Sequence, residues 1–247
     1  MKPWQTAVRY GAIVLAVILI ISIASCGIKI AGIAFGISSL GTLEESKVYE
    51  CDTDIDQLEI DISAEMLIIR VEKCESITVK SNLKGLTVKE NSNTLKIDDN
   101  KDFLLVNDTE GFVEIMIPEG TRLNKIDLDL GAGETLLSSI CVYEVDIDGG
   151  AGELLFSDCE ISELDLDMGA GTLNFMGRVT GKADISLGVG VAKIQLLGDK
   201  DEYRLSVDKG IGNVSVDGQD VGSTKIGNGG VRINIEGGVG DITIDFE

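Results

Sequence analysis

Aspartate is the residue whose spacing most invites chemistry in this chain. Asp127, Asp146, Asp165 and Asp184 recur at intervals of 19, and Asp129, Asp148 and Asp167 recur two places later in the same copies. Stacked strands lie about 4.8 Å apart, where each like-charge contact costs roughly 0.9 kcal/mol in water before salt screens it. Columns of carboxylates at that spacing could attract Ca²⁺ or Mg²⁺, weakly and through oxygen alone, without a dedicated cage. These seven aspartates are the candidate metal residues. The plain alternative is a solvated acidic face.

Other chemistries find little support. The 247 residues include no histidine, which removes the commonest general base and any His-containing zinc site. The five cysteines, Cys26, Cys51, Cys74, Cys141 and Cys159, show no C-x-x-C spacing. Cys159 falls one place off the column of Cys141 and reads as a buried small hydrophobe, whereas Cys51 and Cys74 could pair. Calcium β-rolls need an aspartate where Gly149-GAGELLF has Leu154 and Gly237-GVGDIT has Ile242, so that mechanism fails. No helix follows any G-x-G, so a phosphate-cradling turn fails too. Sugar cleavage needs long acid-bearing loops, whereas the regular coils carry no insertion and the loop at 198–204 is only seven residues. Lectin-like stacking needs exposed aromatic rings; aromatic residues are 4% of the chain, and Phe156 and Phe175 fall in inward positions. A non-enzymatic protein without a cofactor is the reading that remains.

The aspartates sit in a sentence written four times: Lys125-IDLDLGAGE, Glu144-VDIDGGAGE, Glu163-LDLDMGAGT and Lys182-ADISLGVGV. A fixed period of about twenty residues means stacked supersecondary units. In each copy apolar and polar residues alternate on both sides of a glycine pair, the pattern of a half-buried strand. Ile126/Leu128, Val145/Ile147 and Leu164/Leu166 face in, and Thr135/Leu137, Leu154/Phe156, Leu173/Phe175 and Ala192/Ile194 face in after the glycines. The corners are Gly131 and Gly133, Gly150 and Gly152, Gly169 and Gly171, Gly188 and Gly190, with looser copies at Gly210 and Gly212 and at Gly238 and Gly240. The residue between each pair (Ala132, Ala151, Ala170, Val189) is expected to face the core. The fold expected is all-β: a single-stranded parallel β-solenoid, or β-helix, with coils of about 19 residues and two sheets sharing a narrow core. Leu58-E-Ile60-D-Ile62 aligns with the Ile126 copy, with Ser63-Ala64-Glu65 at its corner. The chain ends on a strand, Asp241-ITIDFE, with no separate cap visible and a free edge near Phe246.

Residues 1–9 form a short basic tail, and 10–40 an apolar transmembrane helix whose Gly11–Ile28 stretch carries no charge. Lys2 and Arg9 before it, and Glu44 and Glu45 after it, place the N-terminus inside. Ile23-Ala24-Ser25-Cys26 also matches a lipobox, which would leave a lipid anchor at Cys26 in place of the helix. Either way, residues 41–54 form a linker and 55–247 an extracytoplasmic solenoid. Gly32-x-x-x-Gly36 permits helix pairing without demanding it, so the oligomeric state stays open. Beyond residue 40 there are 18 basic residues against 42 acidic ones, a net charge of −24. Such a surface excludes nucleic acid and suits a cationic partner in the cell envelope.

The N-terminal span, the Ile-Pro-Glu-Gly turn at 117–120, the G-x-G coils and the Gly227-Asn-Gly-Gly segment before Ile233-N-Ile235-EGGVGDITI resemble the β-strand-repeat "putative adhesin" family of membrane-anchored bacterial proteins, a domain of unknown function. The resemblance implies a β-solenoid of coils near twenty residues. It brings no catalytic residues. Function is accordingly expected to be that of an adhesin-like or sensing module, with an envelope protein assembling through its solenoid ends, or a polysaccharide-binding β-helix, as alternatives.

Overall fold

The computed structural model describes residues 46–51, 54–63, 66–99 and 111–247. The expected tail, transmembrane helix and lipobox, half of the linker, and the Ala64-Glu65 corner lie outside these residues. The described part is all-β. Its strands are β1 Lys47–Glu50, β2 Gln57–Ile62, β3 Met66–Glu72, β4 Thr78–Ser81, β5 Thr87–Asn91, β6 Thr94–Asp98, β7 Phe112–Pro118 and β8 Arg122–Ser138. They continue as β9 Cys141–Leu196, β10 Tyr203–Ile211, β11 Val214–Val216, β12 Gln219–Val221, β13 Thr224–Ile226 and β14 Val231–Phe246. β1 occupies part of the stretch read as a linker.

The regular coils stack as their spelling demands. β8 pairs with β9 in parallel at an offset of 19, Ile126 beside Val145 and Leu128 beside Ile147. β2 pairs with β8 so that Leu58 lies beside Ile126 and Ile62 beside Leu130, as the alignment of those copies predicts. Ile126, Leu128, Val145, Ile147, Leu164 and Leu166 are buried. Each such side chain contributes roughly 1.5–3 kcal/mol on leaving water. Phe156 and Phe175 add a tilted ring pair with centroids 5.2 Å apart.

The core has three faces per coil, not two. Buried positions run Leu123, then Ile126 and Leu128, then Thr135 and Leu137, then Ile140 and Val142, before Val145 begins the next coil. Parity changes at each corner, and the third face is short enough to escape an alternation count.

Both ends depart from a simple coil in chain order. β14 lies between β9 and β10, pairing in parallel with each: Ile233 meets Ala183 on one side and Leu205 on the other. Likewise β2 lies between β6 and β8, and β3 between β7 and β8. The strand ending at Phe246 is therefore interior, and the expected free edge there is wrong. β10 is covered by β13 and β11 by β12, both antiparallel; at the other end β5 covers β6, and β4 and β1 follow β7, also antiparallel. The parallel solenoid is thus closed at each end by short antiparallel strands.

The swap explains two features of the spelling. Lys182 aligns with Arg232 and Arg232 with Arg204, so β9 and β10 are 22 residues apart rather than 19. The three extra residues let the 198–202 segment step over the slot that β14 fills. The Gly227-Asn-Gly-Gly stretch then brings the chain back across the start of β10. A Cβ on Gly229 would lie 2.0 Å from the Glu202 carbonyl oxygen, so only glycine fits that crossing.

Candidate functional site

The aspartates do form columns. Asp127 stands beside Asp146 and Asp129 beside Asp148, and the period carries each column on to Asp165 and Asp167. The first column is longer than the repeat suggests, running Lys96, Glu59, Asp127, Asp146, Asp165, Asp184, Asn234, Ser206, Lys225 across successive strands. It begins and ends on lysine. The second runs Asp98, Asp61, Asp129, Asp148, Asp167, Ser186, Glu236, Asp208. Asp61 was within reach of the sequence through the Leu58 alignment. Glu236 and Asp208 were not, because the exchanged order of β10 and β14 decides where they fall.

Cations partly neutralise the first column. Lys125 Nζ lies 3.2 Å from Asp127, 3.0 Å from Glu144 and 3.5 Å from Asp146, and these bonds, Glu144 foremost, hold its ammonium well above the usual lysine range. Lys182 pairs with Asp184, which also accepts a 2.7 Å hydrogen bond from Asn234 Nδ2. Partial burial favours the neutral acid at Asp184, but these two donors outweigh it and hold the carboxyl below the usual range. Asp165 moves the other way: desolvation, then the charges of Asp146, Asp184 and Asp167, push it up against Lys182. Asp61 is pushed up by desolvation and by Asp98, Asp129 and Asp99.

Asp129, Asp148 and Asp167 make no ion pair among the described residues. They line an open groove of about 450 Å³ together with Leu130, Gly149, Gly150, Met168 and Gly169. The carboxylates line up along this groove without converging. Among the described residues no three acidic or thiol groups gather as an ion's first shell requires.

Across the glycines from the groove stands a ridge, which corrects the sequence reading. Ala132 is exposed, Ala151, Ala170 and Val189 are half-buried, and Val239 and Ile211 are 42% and 65% exposed. The inward set passes from even numbers (126, 128) to odd (135, 137), so the corner must turn two successive residues outward, and the middle residue is one of them. The glycines themselves are structural. Gly190 has φ +157, and a Cβ there would sit 1.8 Å from the Gly171 carbonyl oxygen.

Beyond the ridge lies a pair the sequence did not flag. Glu134 is 8% exposed with neither carboxylate oxygen hydrogen-bonded, and it stands beside Glu153. Burial, then the Glu134 charge, pushes Glu153 above the usual range, against Asn174 and Lys193. Cys51, Cys74, Cys141 and Cys159 are free thiols, so Cys51 and Cys74 do not pair. Burial pushes Cys159 up to about 11, as suits an inert packed thiol.

Residues 55–247 match the Toastrack DUF4097 family model. The chain belongs to the Toastrack DUF4097 family. This is a domain of unknown function, and the match spans the stretch expected to be the solenoid. Among solved structures the chain is similar to a "putative cell adhesion protein" of Clostridium sporogenes, at 18% identity over 82% of this chain and 99% of that one, with a TM-score of 0.51. A "putative adhesin" of Bacteroides fragilis matches at 12% identity over 83% of this chain and 98% of that one, TM-score 0.44. A "putative lipid binding protein" of Parabacteroides distasonis matches at 13% identity over 81% and 97%, TM-score 0.38. Among curated proteins none matches the sequence. The Toastrack match and the Clostridium sporogenes likeness support the all-β solenoid; they carry no site residues onto this chain.

Proposed function

We propose that this Toastrack protein is a non-enzymatic interaction module, held on the outer side of a cell membrane by the apolar 10–40 stretch and presenting its acidic face to an envelope partner. The observation that carries this reading is the shape of the chemistry: polar groups spread along an open groove instead of converging on one reacting atom. Catalysis needs a nucleophile, base or oxyanion donors focused on a point, and an extended charged face is what binding uses.

The alternatives draw less support. Filament growth through the ends would need open strand edges, and the terminal coils are overlaid by short antiparallel strands. Carbohydrate stacking would need several free aromatic faces; Phe156 and Phe175 are buried in the core, and among the described residues Tyr143 is the one aromatic side chain that is largely exposed. Divalent cations would associate with the aspartate columns diffusely and weakly, as counterions.

Protease added to intact cells tests the reading. It should digest the solenoid and leave the N-terminal anchor in the membrane. A solenoid protected until the membrane is permeabilised would sink it.

A further inference from the structure

Nothing in the packing requires the middle residue of each corner to be apolar. It points outward, and outward positions elsewhere on the same coils are mostly polar or charged. Yet Ala132, Ala151, Ala170, Val189, Val239 and Ile211 are apolar without exception, and they stack in that order on adjacent coils. They make a rail about 24 Å long, at about 4.8 Å per coil. Glycines flank it on both sides, and it is most open at Val239 and Ile211. It also grows along its length, from alanines to Val189, Val239 and the 65%-exposed Ile211. Exposed apolar surface in a continuous strip marks a contact site.

The setting of the rail selects the occupant. Three residues before each ridge residue come Asp129, Asp148, Asp167, Ser186, Glu236 and Asp208, so acid runs beside the rail for nearly its whole length, with the groove alongside the first three coils. Lys209, beside Ile211, is tied to the Gly212 carbonyl at 2.9 Å and does not offset them. An anionic membrane would be repelled by that flank. A second copy would bring like charge against like, and a rail one side chain wide falls far short of the roughly 800 Å² per partner that a stable dimer buries. A polypeptide with an apolar stripe and a row of lysines or arginines beside it meets both features at once. We infer that the rail and the adjoining groove bind a cationic amphipathic polypeptide, its apolar stripe on Val189, Val239 and Ile211 and its cations over Asp129, Asp148, Asp167 and Glu236. This rests on the interaction-module reading above and names the partner class for that same face.

The test uses the full chain in nanodiscs of zwitterionic lipid, titrated with a synthetic leucine/lysine amphipathic peptide, with empty discs subtracted. A serine/lysine peptide of equal charge is the control. The leucine/lysine peptide should bind about tenfold more tightly or better, the gain expected from covering the exposed parts of two aliphatic side chains. Ile211→Ser combined with Val239→Ser should remove that advantage without changing the melting temperature, since both residues are exposed. Asp148→Asn with Asp167→Asn should weaken both peptides and flatten their salt dependence. Equal binding of the two peptides, or a serine pair that changes nothing, overturns the proposal. So does rail-dependent binding to peptide-free zwitterionic vesicles, which would assign the rail to lipid. Protease protection in intact cells would instead remove the module reading itself, whatever the peptides do.

Discussion

A single side chain's direction decides most of what can be said at the residue scale. Leu166 is fully buried and its neighbour Asp165 points out. Leu166→Asp should therefore destabilise by several kcal/mol, on the order of 3–5, because it buries an unpaired charge. Asp165→Asn should be neutral or slightly stabilising, because it relieves the contacts with Asp146, Asp184 and Asp167. Thermal melts of the two variants check this, and equal damage would mean the in/out register is wrong. Gly190→Ala should cost at least about 1–3 kcal/mol, combining an unfavourable φ with a Cβ driven into the Gly171 carbonyl. Inward residues such as Leu166 were legible because alternation has only two phases. Ala132 was not, because the phase changes beneath it: counting forward from Leu128 sends it inward, counting back from Thr135 sends it outward. Only the packed corner shows which strand governs that residue.

Columns of like charge are properties of elements, and pH acts on them in two opposed ways. Asp61 and Asp165 have folded pKa values above the ordinary one, so the folded state binds their protons more tightly than the unfolded chain does. Their contribution is fully present below the unfolded pKa and is lost as pH rises through the folded one. Asp184 and Asp217 are lowered, the first by Asn234 and Lys182 against its own burial, the second by Lys200. Their contribution is present above the unfolded pKa and disappears as pH falls through the folded one. Melting temperature followed downward from neutrality should therefore respond oppositely in two variants. Relative to the parent, Asp165→Asn should lose the gain on mild acidification, and Lys200→Ala should lose part of the fall at lower pH. Parallel curves would contradict the assignment. Millimolar Ca²⁺ should raise the melt more than NaCl of equal ionic strength, and the difference should shrink when Asp146, Asp148, Asp165 and Asp167 become asparagine; identical effects of the two salts would leave a plain solvated face. The β2 register was legible because Leu58-E-Ile60-D-Ile62 repeats the Ile126 spelling. The place of β14 was not: β10 and β14 carry the same G-x-G text, and either matches the columns of β9. The three-residue surplus at 198–202 was the only hint, and by itself it reads as an ordinary loop insertion.

For the whole molecule, the decisive fact is how a stack of coils stops. Each coil offers its strand edges to the next, so an unprotected terminal coil would recruit another molecule as readily as another repeat. Here the outermost strands at the C-terminal end, β12 and β13, are only three residues each, run antiparallel to the coil they cover, and carry Gln219, Asp220 and Lys225. A parallel coil from another molecule would have to pair with short strands of the wrong direction and bury charge while doing so. The exchange of β14 with β10 strengthens the arrangement, because the chain's last strand is held on both sides. Its end is secured further: Lys200 lies over the Phe246 ring and pairs with Asp217, and Glu247 exchanges backbone hydrogen bonds with Leu196 and Gly198. If the cap is what limits growth, weakening its charges should release it without touching the core. Replacing Asp220 and Lys225 together by valine should give residues 46–247 a concentration-dependent mass by sedimentation, with β-type circular dichroism unchanged. The parent fragment should keep one mass over the same range. A parent that lengthens with concentration, or a valine variant that never does, would show that growth is limited by something other than these edge charges.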